Sequence, residues 1–562
     1  MPENNQNQTL NNHKTIIWCL AIFVLALVVR LIQINDMAFL AADGKLAADA
    51  LAIARGDALG FGAMPAYSGL TGILMYLFGS SNFVARIMPV LAGSSLVFLP
   101  FLTMKGKKPV FAIIFAFGLA LDPFMVTMSR QVATPLMAFA AMTWAVYFLH
   151  KKKAILTGVF LALAFLSGAY FWVFLLALLV WLGVTRLFKL EIGIDLIMPF
   201  SNRKDWMVVI VSFLISLVLI STGFLLKMDG LGKIASGVLA FLKLFSTPYS
   251  LPLYHVFFVL LSMSFLPLLA GIIWLGKKGR GSDLPSKISC GLFVLIGLLL
   301  TLFFSRQDVG AGVMVVVALW FLAAHFLAEL KPDLRNKPGL IIGAFVLFVV
   351  LMVYVAMSLT RLFEVEFGSP VYLQVGLASL AGMLLILILF WLSSLAFETK
   401  HSATIFALAL MLCLFAGMLS QTFNSLEKTN DIVQLSLNHG PILLGNQEQW
   451  RALEPFEGYG RINFSEASFL ADHIDEDLRW QLLHYQSHEP SKAPEFILSR
   501  SQTIPSFEEP YRGMRIELSK FIPWNRFQFR DYLNNMFSTV NNWHVENAFL
   551  WVQTKLFTGA NE

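Results

Sequence analysis

Charge is what this chain is short of. Only 14% of its 562 residues are Asp, Glu, Lys or Arg, while 57% are hydrophobic. A soluble domain carries about 25% charged residues. The shortage excludes an ordinary soluble enzyme and, with apolar runs near 20 residues, indicates a polytopic membrane protein. Cysteine is scarce as well. Cys19, Cys290 and Cys413 each sit in an apolar run and form no CxxC pair. They imply neither a disulfide framework nor a zinc site. A cleavable signal peptide is also missing: residues 1–14 are polar, and the run after them is long enough to span. It reads as a signal anchor. The net charge of +6 is no nucleic-acid signature, because Lys and Arg held at one membrane face account for it.

About thirteen apolar runs are present: 15–34, 85–104, 109–122, 131–150, 154–170, 171–187, 207–226, 254–275, 288–304, 311–329, 340–360, 371–396 and 403–421. A shorter Gly-containing run at 64–79 reads as re-entrant or interfacial. With residues 1–14 in the cytoplasm, the inner loops hold Lys105, Lys107 and Lys108, the run Lys151 to Lys153, and Arg186, Lys189, Arg203 and Lys204. Further on they hold Lys277, Lys278, Arg280, Lys287, Lys331, Arg335, Lys337 and Lys400, while the short outer loops hold isolated charges: Arg130, Arg306 and Arg361. This alternation follows the positive-inside rule. It divides the chain into a cytoplasmic tail 1–14, a membrane domain 15–421 and an extracytoplasmic tail 422–562. In the last, NDIVQLSL, PEFILS, GMRIELSK and NAFLWVQTKL predict strands and SEASFLADHIDEDLRWQLLHY predicts a helix. The expected architecture is a helical membrane protein of about 13 spans with a small α+β extracytoplasmic domain.

The first outer loop, 35–84, breaks the apolar monotony. In LAADGKLAADALAIARGD the residues Leu46, Ala47, Ala50, Leu51 and Ala54 recur at helical spacing. They predict a helix over 42–55 whose apolar stripe rests on lipid or on neighbouring helices. Asp43 stands at its start, in a position suited to an N-cap, and Asp36 lies just before it. A carboxylate at the membrane surface can take the proton of an acceptor hydroxyl. Three arginines share that face: Arg86 in NFVARIMPVLAG, Arg130 in LDPFMVTMSR, and Arg306 in SRQDVG. Guanidinium forks match phosphate oxygens and stabilise charge that grows on a leaving phosphate. Each arginine could also simply snorkel at the interface, and Asp43 could simply cap its helix. No outer loop clusters His with carboxylates, so no essential metal is expected.

The order of these segments resembles the GT-C membrane glycosyltransferases. Within them it is similar to the glycosyltransferase 39 group, which includes dolichyl-phosphate-mannose protein mannosyltransferases and aminoarabinose transferases. The resemblance covers roughly residues 15–330. It implies a membrane glycosyltransferase that moves a sugar from a polyprenyl-phosphate donor to a protein, lipid or glycan acceptor on the outer face, with no further cofactor and no nucleic acid. By resemblance Asp43 matches the catalytic acid, and Arg86, Arg130 and Arg306 match basic positions near the donor phosphate. The family's first loop usually reads Asp-Glu, whereas this chain has Asp43-Gly44, which leaves Asp36 or Asp49 as alternative bases. After Arg130 the chain reads Gln131-Val132-Ala133-Thr134, without the acidic residue often found there. The WWD motif of the oligosaccharyltransferase branch does not occur. Two other readings stay open: a transporter or flippase-associated subunit, with His325 as its ionisable span residue, and a catalytically inactive scaffold in a membrane complex.

Overall fold

The computed structural model describes residues 3–426 except 38, 57–61, 105–108, 191–201, 226–227, 248–250, 278–282, 306–307, 331–337 and 366–367. Beyond these it describes 442–443, 468–472, Trp480, 486–487, 494–499, 510–521 and 544–554. The chain is a polytopic helical membrane protein with a sheet at its C-terminal end. Among the described residues, eight helices are long and apolar enough to cross a membrane. Two bent pairs add to them: Pro109–Leu121 with Pro123–Arg130, at 52°, and Leu253–Met263 with Phe265–Gly276, at 92°. Three shorter apolar helices, Thr15–Leu31, Leu136–His150 and Ala154–Phe165, cover the remaining runs. Each expected run therefore falls on a helix or a bent pair, although fewer than thirteen are of full spanning length.

The elements around the first loop are α1 (Glu3–Leu31), α2 (Ala41–Arg55), α3 (Pro65–Phe78) and α4 (Asn82–Ser95), followed by α5 (Phe98–Met104), α6 (Pro109–Leu121), α7 (Pro123–Arg130) and α8 (Leu136–His150). The apolar stripe of α2 finds protein rather than lipid. Leu46, Ala47, Ala50 and Leu51 are buried in one cluster with Tyr67, Met75, Val84 and Ala85. The approach of α3 is close enough to need glycine. A β-carbon on Gly72 would stand 2.9 Å from the Ala50 carbonyl oxygen. At the start of α4, Ser81 accepts a hydrogen bond from the Val84 amide at 3.1 Å, which satisfies one of the free N–H groups of the first turn.

The α6–α7 break lies among membrane segments, where each freed backbone group needs a partner. Asp122 caps α7 by accepting from the Met125 amide at 3.1 Å, and Pro123 occupies the first helical position, where its missing N–H costs nothing. The last carbonyls of α6 are taken by side chains from other helices. Arg30 donates to Leu119 and Ala120 oxygens, each at 2.9 Å. Thr422, in the helix Thr399–Asn424, donates to the Leu121 oxygen at 2.6 Å. Asp122 Oδ2 in turn accepts from Trp320 Nε1 at 2.8 Å and Ser264 at 3.2 Å. Both ionisable groups are thus fully buried and committed to holding the break.

The described sheet has seven strands: β1 (Phe39–Leu40), β2 (Ile442–Leu443), β3 (Ser468–Asp472), β4 (Gln486–Ser487), β5 (Phe496–Ser499), β6 (Tyr511–Phe521) and β7 (His544–Gln553). Their spatial order is β1-β2-β6-β7-β5-β3-β4. Its centre is the β6–β7 antiparallel pair, in register from Tyr511 opposite Gln553 to Phe521 opposite His544 with a bulge at Glu517/Ser519. The strands predicted in PEFILS, GMRIELSK and NAFLWVQTKL are those of β5, β6 and β7, while NDIVQLSL lies outside the described residues. The helix predicted over SEASFLADHIDEDLRWQLLHY is corrected in part. Ser468–Asp472 is a strand, paired in parallel with β5 from Phe469 opposite Phe496 to Asp472 opposite Ser499. Backbone partners on a neighbouring strand outweigh the local helical spacing. Strand β1 belongs to the first loop, and its register is Phe39 opposite Leu443. The first loop and the tail therefore lie on one side of the membrane.

Candidate active site

Asp43 does not cap α2. The N-cap is Leu40, which makes no side-chain cap bond, and Asp43 stands in the first turn, fully buried. Its side chain turns away from its own helix: Oδ1 accepts from the Ala133 amide at 2.6 Å. Ala133 belongs to the short loop 131–135 between α7 and α8. Oδ2 is buried with no hydrogen-bond partner among the described residues. Burial pushes the Asp43 carboxyl from its usual 3.8 up to about 6. The amides of Ala133, Val132 and Leu40 and the Arg86 charge pull the other way. Loss of water outweighs these amides and the Arg86 charge.

Arg86 is fully buried in α4. Its Nη1 donates to the carbonyl oxygens of Ile34 at 2.7 Å and Met37 at 2.9 Å, and its guanidinium lies 4.0 Å over the Phe39 ring. It pins the chain between α1 and β1 while its charge acts on Asp43. Arg130 ends α7 and is 1% exposed. It donates through Nη2 to the Ile32 oxygen at 2.8 Å and through Nη1 to the Ser425 oxygen at 3.1 Å. Its Nε has no partner among the described residues. The Arg86 and Arg130 charges are near enough to repel each other. Arg86 thus links a buried acid, Asp43, to a second buried cation, Arg130, and neither Asp43 Oδ2 nor Arg130 Nε has a hydrogen-bond partner among the described residues.

Arg306 lies outside the described residues. Two positions on, Asp308 accepts from the Tyr170 hydroxyl and from the Gly310 amide, the latter at 2.7 Å. Its loop abuts the one that holds Asp43, since a β-carbon on Gly310 would come within 2.7 Å of the Pro135 ring. Burial raises the Asp308 carboxyl. Asp36 is half-buried in the turn after α1, and no described contact joins it to Asp43. Asp49 lies two turns along α2, half-buried. His325 stacks on Trp274 with centroids 5.1 Å apart and meets Phe111 at 4.4 Å and Phe321 at 4.9 Å.

Arg30 and Asp122, both fully buried, are not named by the sequence reading. Their signal was Asp122-Pro123, an N-cap followed by proline inside an apolar run. A separate apolar cavity of about 740 Å³ is lined by Ile22, Phe117, Trp320, Phe345, Met411 and Phe415 among others. None of the acid–arginine group lines it. Among the described residues no three His, Cys, Asp or Glu side chains are grouped to hold a metal ion.

No protein-family model matches the chain, and no curated protein does. Its fold is similar to that of ArnT from Cupriavidus metallidurans. The crystal structure of ArnT bound to undecaprenyl phosphate superposes with a TM-score of 0.51 at 15% identity, covering 83% of this chain and 85% of that one. The apo structure of the same protein gives 0.48 at 14% identity, covering 83% and 84%. At this identity the likeness is one of fold.

Proposed function

We propose that the chain is a membrane glycosyltransferase that moves a sugar from a polyprenyl-phosphate donor to a protein, lipid or glycan acceptor at the outer face of the membrane. The observation that carries this reading is the buried Asp43, whose Oδ2 has no hydrogen-bond partner among the described residues, beside the Arg86 charge, which in turn lies near Arg130. The fold shared with a protein crystallised with undecaprenyl phosphate supports the choice of donor.

In this reading Asp43 Oδ2 takes the proton of the acceptor hydroxyl as its oxygen bonds to the anomeric carbon. The bond from that carbon to the phosphate oxygen breaks, and the polyprenyl phosphate leaves with the electron pair. Arg130, through its Nε, and Arg86, through its charge, stabilise the phosphate as its charge grows. A carboxylate near pH 6 suits the base role, being ionised at neutral pH while still accepting a proton readily. Asp36 is the alternative base, and Arg306 completes the donor site. The arginines supply the positive charge, and the reading gives no role to a metal ion. The N-terminus is cytoplasmic and the tail extracytoplasmic, as the Lys-rich loops support.

A second reading, the inactive scaffold, is favoured by one observation. Arg86 Nη1 and both Nη groups of Arg130 are spent on the chain's own carbonyls, and both side chains are closed to solvent. Binding of undecaprenyl phosphate to the purified protein in nanodiscs separates the two. Transfer predicts saturable binding that weakens by roughly 1.5–3 kcal/mol in Arg130→Ala, the range for hydrogen bonds to charged groups. Equal binding by wild type and variant, or none by either, favours the scaffold.

A further inference from the structure

The tail reaches the candidate site through one side chain. Trp480 is 6% exposed and lies in the same cluster as Phe39, Leu46, Tyr67, Ala85 and Val132. Among the described residues it is the one tail member of that cluster. Its ring packs against Phe39 with centroids 5.8 Å apart, and Phe39 is the ring over which the Arg86 guanidinium lies. Its indole Nε1 donates to Asn82 Oδ1 at 3.0 Å. Asn82 Nδ2 donates in turn to the Asn35 carbonyl at 3.0 Å. Asn82 is one helical turn before Arg86 on α4, and Arg86 bonds to the Ile34 and Met37 carbonyls of the same loop. The loop 34–39 is therefore held at both ends by α4, and Trp480 touches both the ring and the amide that hold it.

We infer that Trp480 is a positioning residue through which the tail sets the place of Arg86 and so the shape of the anion site. The inference rests on the functional reading above. An indole suits the task because it combines a large apolar face with a single N–H donor. Removing it opens space beside Phe39, frees the ring beneath Arg86, and leaves Asn82 Oδ1 without this donor. The Arg86 charge then drifts relative to Asp43, and the donor phosphate loses part of its cage.

The test uses the full-length protein in phosphatidylcholine nanodiscs with undecaprenyl phosphate as the probe. Trp480→Ala should weaken binding about tenfold, the worth of one well-made aromatic pair. Trp480→Phe keeps a ring against Phe39 and should recover most of the loss. Trp551→Ala is the control, because Trp551 is buried in the tail against Ile497 and Tyr511, apart from the Phe39 cluster. It should bind as wild type does. Wild-type affinity in Trp480→Ala overturns the proposal, and so does an equal loss in Trp480→Ala and Trp551→Ala, which would mean only that the tail must be folded. A wild type that does not bind the lipid at all sinks the functional reading itself, a different result from either.

Discussion

Replacing Asp43 by asparagine separates a catalytic acid from a structural one, because the two roles change stability in opposite directions. Burial raises the carboxyl from 3.8 to about 6, so the folded chain binds this proton more tightly than the unfolded chain does. A raised acid makes the fold less stable as pH climbs from about 4 to about 6, and the loss is complete above that. The shift corresponds to about 3 kcal/mol. The asparagine carries no charge to desolvate and can still accept from the Ala133 amide. Its side-chain amide would be a new buried donor, costing about 1–3 kcal/mol if unpaired. The net expectation at pH 7.5 is a variant at least as stable as wild type, with any advantage gone by pH 4. Thermal unfolding in detergent at both pH values reads this directly. Sugar transfer should fall by about 10²–10⁴ in the same variant, the usual worth of a general base. Wild-type transfer should itself decline as pH drops through about 6 and the base is protonated. A variant that unfolds several degrees earlier at pH 7.5 would instead make Asp43 a structural anchor.

Three further outcomes follow from the packing. Gly72→Val should destabilise the protein by about 1–3 kcal/mol, because the first added carbon already stands 2.9 Å from the Ala50 oxygen; unchanged unfolding would show that α3 can step away from α2. Trp320→Phe removes one of the two side-chain donors to Asp122 Oδ2 and should cost about 1–3 kcal/mol in thermal stability; no change would mean that water or Ser264 replaces it fully. With the tail outside, a cysteine introduced in place of His544 should react with an impermeant thiol reagent in intact cells, while one in place of Lys152 should react only after lysis; the reverse pattern overturns the orientation.

The membrane architecture was legible in the sequence because its signal is local. Each apolar run lies on a helix or a bent pair, and the Lys-rich loops alternate as the positive-inside rule requires. The bends were less legible. Asp122 and Ser264 break continuous apolar runs, yet the carbonyls freed at the 52° bend are met by partners from distant helices, Arg30 and Thr422. Asp43 and the arginines could be named from residue type and topology, but their bonding could not. Asp43 turns from its own helix to the 131–135 loop, and Arg86 turns to backbone carbonyls, both through contacts formed only in the fold. The tail was misread where a strand in Ser468–Asp472 draws its hydrogen bonds from β5. Its link to the first loop, through two residues at Phe39–Leu40, is too short to leave any periodic signal.

In the proposed function Asp43 and Arg130 act together on a lipid-linked sugar. Mass spectrometry of polyprenyl-phosphate sugars in cells that depend on this protein for their consumption tests it most directly. Asp43→Asn and Arg130→Ala cells should accumulate one intact lipid-linked sugar that wild-type cells consume. An unchanged lipid profile in both variants, with the proteins present at normal levels in the membrane, would contradict it.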